Sequence, residues 1–146
     1  MVFNVEPTMV AIEGHLRAGG WVTTVYQGEP EFPPPHDGVS AAIFMDSVAV
    51  LAAKLAGSIE SQTIIVRLYA VEAERPAAGR ENQLDAAYSY LEKNLLSDLD
   101  LGATVRNVQP VQLAADWGYL DHSGTRYRIV EVAVPVVVDD SATPAP

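Results

Sequence analysis

Two segments of the chain carry apolar residues at the spacing of an amphipathic helix. In residues 7–18, Met9, Ile12 and Leu16 recur at helical intervals, and Gly19-Gly20 follows where the helix would end. Residues 81–96 form a longer stripe, which is typical of a helix packed on a core. The members of this stripe are Leu84, Ala87, Tyr88, Leu91 and Leu95. The pattern predicts two main helices.

Between the helices, three segments are predicted as strands. Residues 21–26 are rich in Val, Thr and aromatic side chains, residues 39–48 are an apolar segment of strand length, and residues 63–71 are the clearest strand. Residues 63–71 are apolar on both faces, which predicts a central strand covered on both sides. Residues 49–56 are compatible with a helical turn or with continuation of the preceding strand, and residues 72–80 are predicted to form a polar loop.

A long β-hairpin is predicted near the C-terminus. Residues 117–121 and 126–138 would pair through the turn His122-Ser123-Gly124. Residues 104–113 are predicted as a strand interrupted by Pro110, which favours a sheet edge or a bulge because proline has no amide donor.

These elements predict one α+β domain over residues 1–138 and a short disordered tail over residues 139–146. Its sheet would be small, mixed or antiparallel, and flanked by the two main helices.

The second arm of the hairpin changes character along its length. Near the turn, Arg126 and Arg128 share one face, while Tyr127 and Ile129 occupy the other. Farther on, the arginine face becomes apolar, with Val130, Val132, Val134, Val136 and Val138. This change predicts either a hairpin that begins outside the core and runs into it, or arginine stems that cover the core with their charged ends in water.

A proline-rich loop is predicted over residues 28–38, with the run Pro33-Pro34-Pro35. Prolines hold the chain extended, so the loop is either a stiff connector or a ligand for an aromatic groove. The sequence favours the connector.

The formal net charge of −10, from 19 acidic and 9 basic residues, argues against a groove that grips nucleic acid through phosphates. It is compatible with an acidic surface past which DNA slides, or with solubility alone. No cysteine is present, so disulfides and thiolate chemistry are excluded. The longest apolar stretch, residues 39–56, is interrupted by Asp46, Ser47 and Lys54, so no membrane segment is expected. The first residues have no basic region, and Glu6 and Pro7 interrupt any apolar run, so no signal peptide is expected.

No grouping typical of catalysis or metal binding occurs. His15, His36 and His122 are scattered, and none has a second histidine at helical spacing. Asp121-His122-Ser123 contains the residue types of a triad, but adjacent residues cannot supply its geometry, so a turn is the preferred interpretation. We therefore expect no catalytic residue, no bound metal and no cofactor.

The order of several short motifs resembles the tail terminator proteins of long-tailed, siphovirus-type phages of actinobacteria. The similarity extends from about residue 10 to residue 140. Its elements are residues 39–46 (VSAAIFMD), 66–70 (VRLYA), 101–108 (LGATVRNV), 118–120 (GYL), 127–130 (YRIV) and 134–140 (VPVVVDD). The proline run and the short C-terminal tail depart from the family pattern.

The resemblance implies a subunit that assembles into a ring, typically a hexamer, and has no catalytic residues. Such a ring caps the tail tube, ends its polymerisation and provides the joining surface for the head connector, while DNA passes through the central hole. Its partners would be further copies of itself, the tail tube protein and the head-completion protein. The location would be the neck of the virion, after assembly in the host cytoplasm.

A ring requires two different patches on each subunit that meet head to tail. The candidates are the hairpin tip and the edge strand, with Pro110, Asp121, His122, Ser123, Arg126, Tyr127 and Arg128 as interface residues. The alternatives are another head-tail neck protein, or a small ligand-binding or enzymatic α+β domain.

Overall fold

The structure is a computed structural model that describes residues 6–35, 38–54, 57–71, 77–97, 107–108 and 113–139. In chain order the elements are α1 (Glu6–Ala18), β1 (Thr24–Gln27), β2 (Ser40–Lys54), β3 (Gly57–Val71), α2 (Ala77–Leu96), β4 (Asn107–Val108), β5 (Ala114–His122) and β6 (Thr125–Asp139).

The six strands form one mixed sheet. Its order is β1-β2-β3-β6-β4, and β5 also pairs with β6. β1 runs parallel to β2, whereas the other strand pairs are antiparallel. The predicted α+β class, with its mixed sheet, two helices and C-terminal hairpin, is confirmed.

Both helices pack on the same face of the sheet, which we call the helix face. On this face the apolar residues of α1 and α2 pack against alternate residues of β2, β3 and β6. This core contains Met9, Ile12, Leu16, Ala41, Ile43, Ile64, Val66, Leu68, Leu84, Ala87, Leu91, Leu95, Val130, Val132, Val134 and Val136. Each fully buried valine or leucine contributes roughly 1.5–3 kcal/mol relative to exposure.

The opposite face of the sheet has a smaller apolar cluster, which we call the second cluster. It comprises Ala42, Tyr69, Val71, Tyr127 and Ile129, with Tyr26, Phe44 and Leu120 packed against it. The prediction that β3 is central and apolar on both faces is confirmed, since Ile64, Val66 and Leu68 face the helices while Tyr69 and Val71 lie in the second cluster.

Two predicted boundaries change. α2 begins at Ala77, so the prediction of a loop is wrong for residues 77–80. β2 continues to Lys54, which decides between the two alternatives for residues 49–54 in favour of a strand.

Candidate functional site

The hairpin between β5 and β6 turns through two residues in the left-handed region. Ser123 has a φ of 49° and Gly124 a φ of 84°. Such a turn matches the right-handed twist of the flanking strands, and it closes directly on the pair His122 and Thr125. Asp121 and Ser123 are exposed here, and Asp121 lies opposite Arg126. The predicted tip is therefore a surface feature.

The proline-rich loop is attached to this hairpin by two side chains. His122 Nε2 lies 2.9 Å from the carbonyl oxygen of Pro30, and the hydroxyl of Tyr127 donates to the carbonyl oxygen of Pro34 at 2.8 Å. A carbonyl oxygen only accepts, so Nε2 carries the hydrogen in this contact. The loop thus packs on the face of the sheet opposite the helices.

Tyr127 lies inside the subunit. Its side chain is fully buried and meets the ring of Tyr69 edge to face, with centroids 5.6 Å apart and planes at 81°. Burial, and then the neighbouring hydroxyls of Tyr26 and Tyr69, raise the pKa of Tyr127. The candidate interface residues Tyr127 and His122 therefore hold the proline-rich loop on the sheet within one subunit.

Arg126 and Arg128 pack on one exposed aromatic ring. Their guanidinium carbons lie 4.4 Å and 4.8 Å from the centroid of the Tyr119 ring. Arg128 also donates from Nη1 to the carbonyl oxygen of Gly118 at 3.1 Å. We call Tyr119, Arg126 and Arg128 the arginine–tyrosine patch. It lies on the helix face, beside the outer edge of the sheet.

A second aromatic residue extends this patch along β5. Trp117 pairs with Val130 of β6, two residues before Tyr119. Its ring packs edge to face on Tyr88 of α2, with centroids 5.4 Å apart. Burial, together with a hydrogen bond to Glu92, raises the pKa of Tyr88 to about 12. Helix α2 therefore packs against the β5 edge of the sheet through the contact between Tyr88 and Trp117.

The other edge of the sheet has exposed apolar side chains of its own. β1 pairs only with residues 40–43 of β2, so the rest of β2 extends beyond it. In this extension Val48, Val50 and Leu51 are 47%, 64% and 56% exposed. Large apolar side chains therefore reach solvent at both edges of the sheet, since Trp117 and Tyr119 are 40% and 48% exposed.

A polar network that the sequence analysis did not identify crosses the face opposite the helices. Arg67 donates to one carboxylate oxygen of Glu131 at 2.9 Å and 2.7 Å, and to the hydroxyl of Tyr69 at 3.2 Å. It also reaches Glu29 at 3.3 Å and lies over the ring of Phe44. The signal in the sequence was a charged residue, Arg67 or Glu131, directly flanked by apolar residues in each of two strands.

The network keeps Arg67 charged. Burial alone would lower its pKa, but hydrogen bonds to Tyr69 and Glu131 raise the pKa overall. Because Glu29 belongs to the proline-rich loop, the ion pair is a third attachment of that loop to the sheet.

The other residues considered in the sequence analysis lie in separate parts of the chain. Pro110 and His36 lie outside the described residues. His15 is in α1, far along the chain from His122. In the described part of the chain, no group of three or more histidine, aspartate or glutamate side chains could hold a metal ion. No described helix combines the length and apolar character that a membrane crossing requires.

Comparison with known proteins finds similarity among solved structures. No protein family matches the sequence, and no curated protein matches it. The fold is similar to the sheath/tube terminator of an extracellular contractile injection system, PVC, in its extended state, at 13% identity and a TM-score of 0.40. The alignment covers all of this chain and 62% of the other, so this chain spans less than two thirds of that protein. A similarity of this strength carries no argument about function.

Proposed function

We propose that this chain is a structural virion protein, a tail terminator that caps a phage tail tube as a hexameric ring. In this role it ends polymerisation of the tube and offers the joining surface for the head connector. The observation that carries the proposal is the presence of two different apolar edges on one subunit, at β2 and at β5. A head-to-tail ring needs two such unlike surfaces. The order of the sequence motifs supports the same function.

The charge of the chain fits a channel for DNA. With a net charge of −10, the ring would be strongly acidic and would repel phosphates. Since phosphate contacts create most of the nonspecific affinity for DNA, an acidic lumen would let DNA pass without binding. The proposal includes no catalysis and no cofactor.

The test is electron microscopy of tails assembled by a phage that lacks this protein. We expect tubes of uncontrolled length that do not join heads, because nothing ends their growth. Supplying the protein in trans should restore uniform, joined tails. Tails of normal length that join heads without it would overturn the proposal.

Reversing the charge of the arginine–tyrosine patch should impair assembly. In Arg126→Glu/Arg128→Glu, both cation–π contacts with Tyr119 are lost and two negative charges enter an already acidic subunit. We expect ring formation and tail joining to fall by about tenfold or more, measured by native mass and by complementation.

The matched control is Arg17→Glu/Lys93→Glu, which makes the same charge change at exposed positions on α1 and α2. It should assemble almost normally. Unchanged ring formation by the patch variant would exclude the hairpin from the interface.

A further inference from the structure

Two edges of the sheet are open along much of their length. β1 pairs only with residues 40–43 of β2, so residues 44–54 have no partner strand on their outer side among the described residues. The nine residues of β5 likewise have no partner on their outer side in the described part of the chain. An open edge presents unpaired backbone groups that favour pairing with another strand.

The apolar side chains of both edges point to the same face. Val48 is paired with Gln62 and Val50 with Glu60, in the same alternation that places Ile64 on the helix face. Paired residues of antiparallel strands share a face. On the other edge, Trp117 is paired with Val130, which also lies on the helix face, and Tyr119 follows with the same orientation.

The strand directions are compatible with a sheet continued from copy to copy. β2 and β6 both run antiparallel to β3, so they run parallel to each other. β5 runs antiparallel to β6. When two copies present the same face to the same side, β5 of one copy is therefore antiparallel to β2 of the next, and antiparallel pairs are slightly more stable per residue.

The charges beside the two edges differ on the helix face. Arg126 and Arg128 lie next to the β5 edge, with Asp121 of β5 opposite Arg126. The β2 extension contains Asp46 and ends at Lys54, and Glu60 of β3 is paired with its Val50. Acidic residues beside the β2 edge disfavour a contact between two β2 edges, whereas the two arginines beside β5 favour a contact between unlike edges.

Two bulges restrict where pairing can be regular. The register of β2 with β3 shifts between Met45 and Ser47 and again between Val50 and Ala52. Bulges twist a strand and disturb the ladder locally. The regular stretch between them, residues 47–50, contains Val48 and Val50 and is the natural centre of an edge contact.

We infer that the β2 extension of one copy pairs antiparallel with β5 of a second copy, so that the sheets join head to tail. This inference rests on the proposed function only in requiring that copies assemble. The apolar contact would bring Val48 and Val50 against Trp117 and Tyr119, at the centre of the subunit interface.

Disulfide trapping tests this contact cleanly, because the chain contains no cysteine. Four double variants combine Val48→Cys or Val50→Cys with Trp117→Cys or Tyr119→Cys, which covers the registers near the regular stretch. A disulfide needs Cα atoms roughly 4.4–6.8 Å apart, a distance that directly opposed cross-strand residues satisfy. Tails carrying each variant are oxidised and run on a non-reducing gel.

At least one double variant should give a ladder extending beyond dimers, and reduction should abolish it. The four single-cysteine variants are the controls, because a contact between unlike edges gives none of them a partner thiol. Efficient dimers from Val50→Cys alone would indicate β2-to-β2 pairing and overturn the inference. Rings of several subunits by native mass without any cross-link would overturn the edge contact while leaving the terminator function intact.

Discussion

Replacing Tyr127 with alanine should lower the free energy of unfolding by about 3–5 kcal/mol, the range seen when a large buried ring is truncated. The Tyr127 side chain is fully buried, packs edge to face on Tyr69, and donates to the carbonyl oxygen of Pro34. The substitution removes all three contributions and leaves a cavity in the second cluster. Urea denaturation followed by circular dichroism measures the change.

The matched control Tyr127→Phe keeps the ring and removes only the hydroxyl. This variant should lower the free energy of unfolding by about 1.5 kcal/mol, since the buried carbonyl of Pro34 loses its hydrogen-bond donor. It should also make the proline-rich loop more susceptible to proteolysis. If the alanine and phenylalanine variants were equally stable, packing of the ring would not contribute as argued.

The same residue should make the fold sensitive to alkaline pH. Burial raises the pKa of Tyr127, and also the pKa of Tyr69, above the value of about 10 for an unfolded chain. The neutral phenols therefore stabilise the fold fully below about pH 10, and this contribution is lost as pH rises through the higher folded pKa values. Thermal melts between pH 8 and pH 11 should show a shallower decline for Tyr127→Phe than for the native chain.

Replacing Arg67 with methionine should lower the free energy of unfolding by about 2 kcal/mol. The Arg67 side chain is only 14% exposed, and its loss leaves Glu131 without its guanidinium partner. Breaking a fully buried pair costs roughly 3–5 kcal/mol, but Glu131 is 39% exposed, so water screens part of the charge. Chemical denaturation at neutral pH measures the loss.

A double-mutant cycle separates the ion pair from packing. The double variant Arg67→Met/Glu131→Leu removes both charges. Its loss of unfolding free energy should therefore be smaller, by about 1–2 kcal/mol, than the sum of the losses in the two single variants. Glu29→Gln, at a side chain that is 64% exposed, should change stability by no more than about 0.5 kcal/mol. If the losses of unfolding free energy in the two single variants simply added up in the double variant, the ion pair between Arg67 and Glu131 would not contribute to stability.

The parts of the fold predicted well are those whose burial follows a local period. The stripe of α2 and the valine face of β6 are predicted because each element covers one side of the same core. The strand over residues 49–54 stayed ambiguous in the sequence, since its residues 49–51 are all exposed and so lack the burial alternation that identifies a strand.

Tyr127 illustrates what local pattern misses. It was predicted at an interface as part of the hairpin, because the second arm of that hairpin changes from a polar to an apolar face. Its burial comes from the second cluster and from Pro34, a partner 93 residues away. Nothing in the period of β6 indicates that a distant loop covers its other face.

The α+β class, the helix face of the core, the hairpin turn and the acidic charge could be predicted from the chain alone, because each depends on composition, on turn residues or on a period of two or 3.6 residues. The folded molecule was needed to show which apolar residues remain exposed at the sheet edges, how Arg67 joins the loop to the sheet, and that Tyr127 faces inward. These features depend on strand order and register rather than on local spacing, since order and register determine which side chains meet across a sheet.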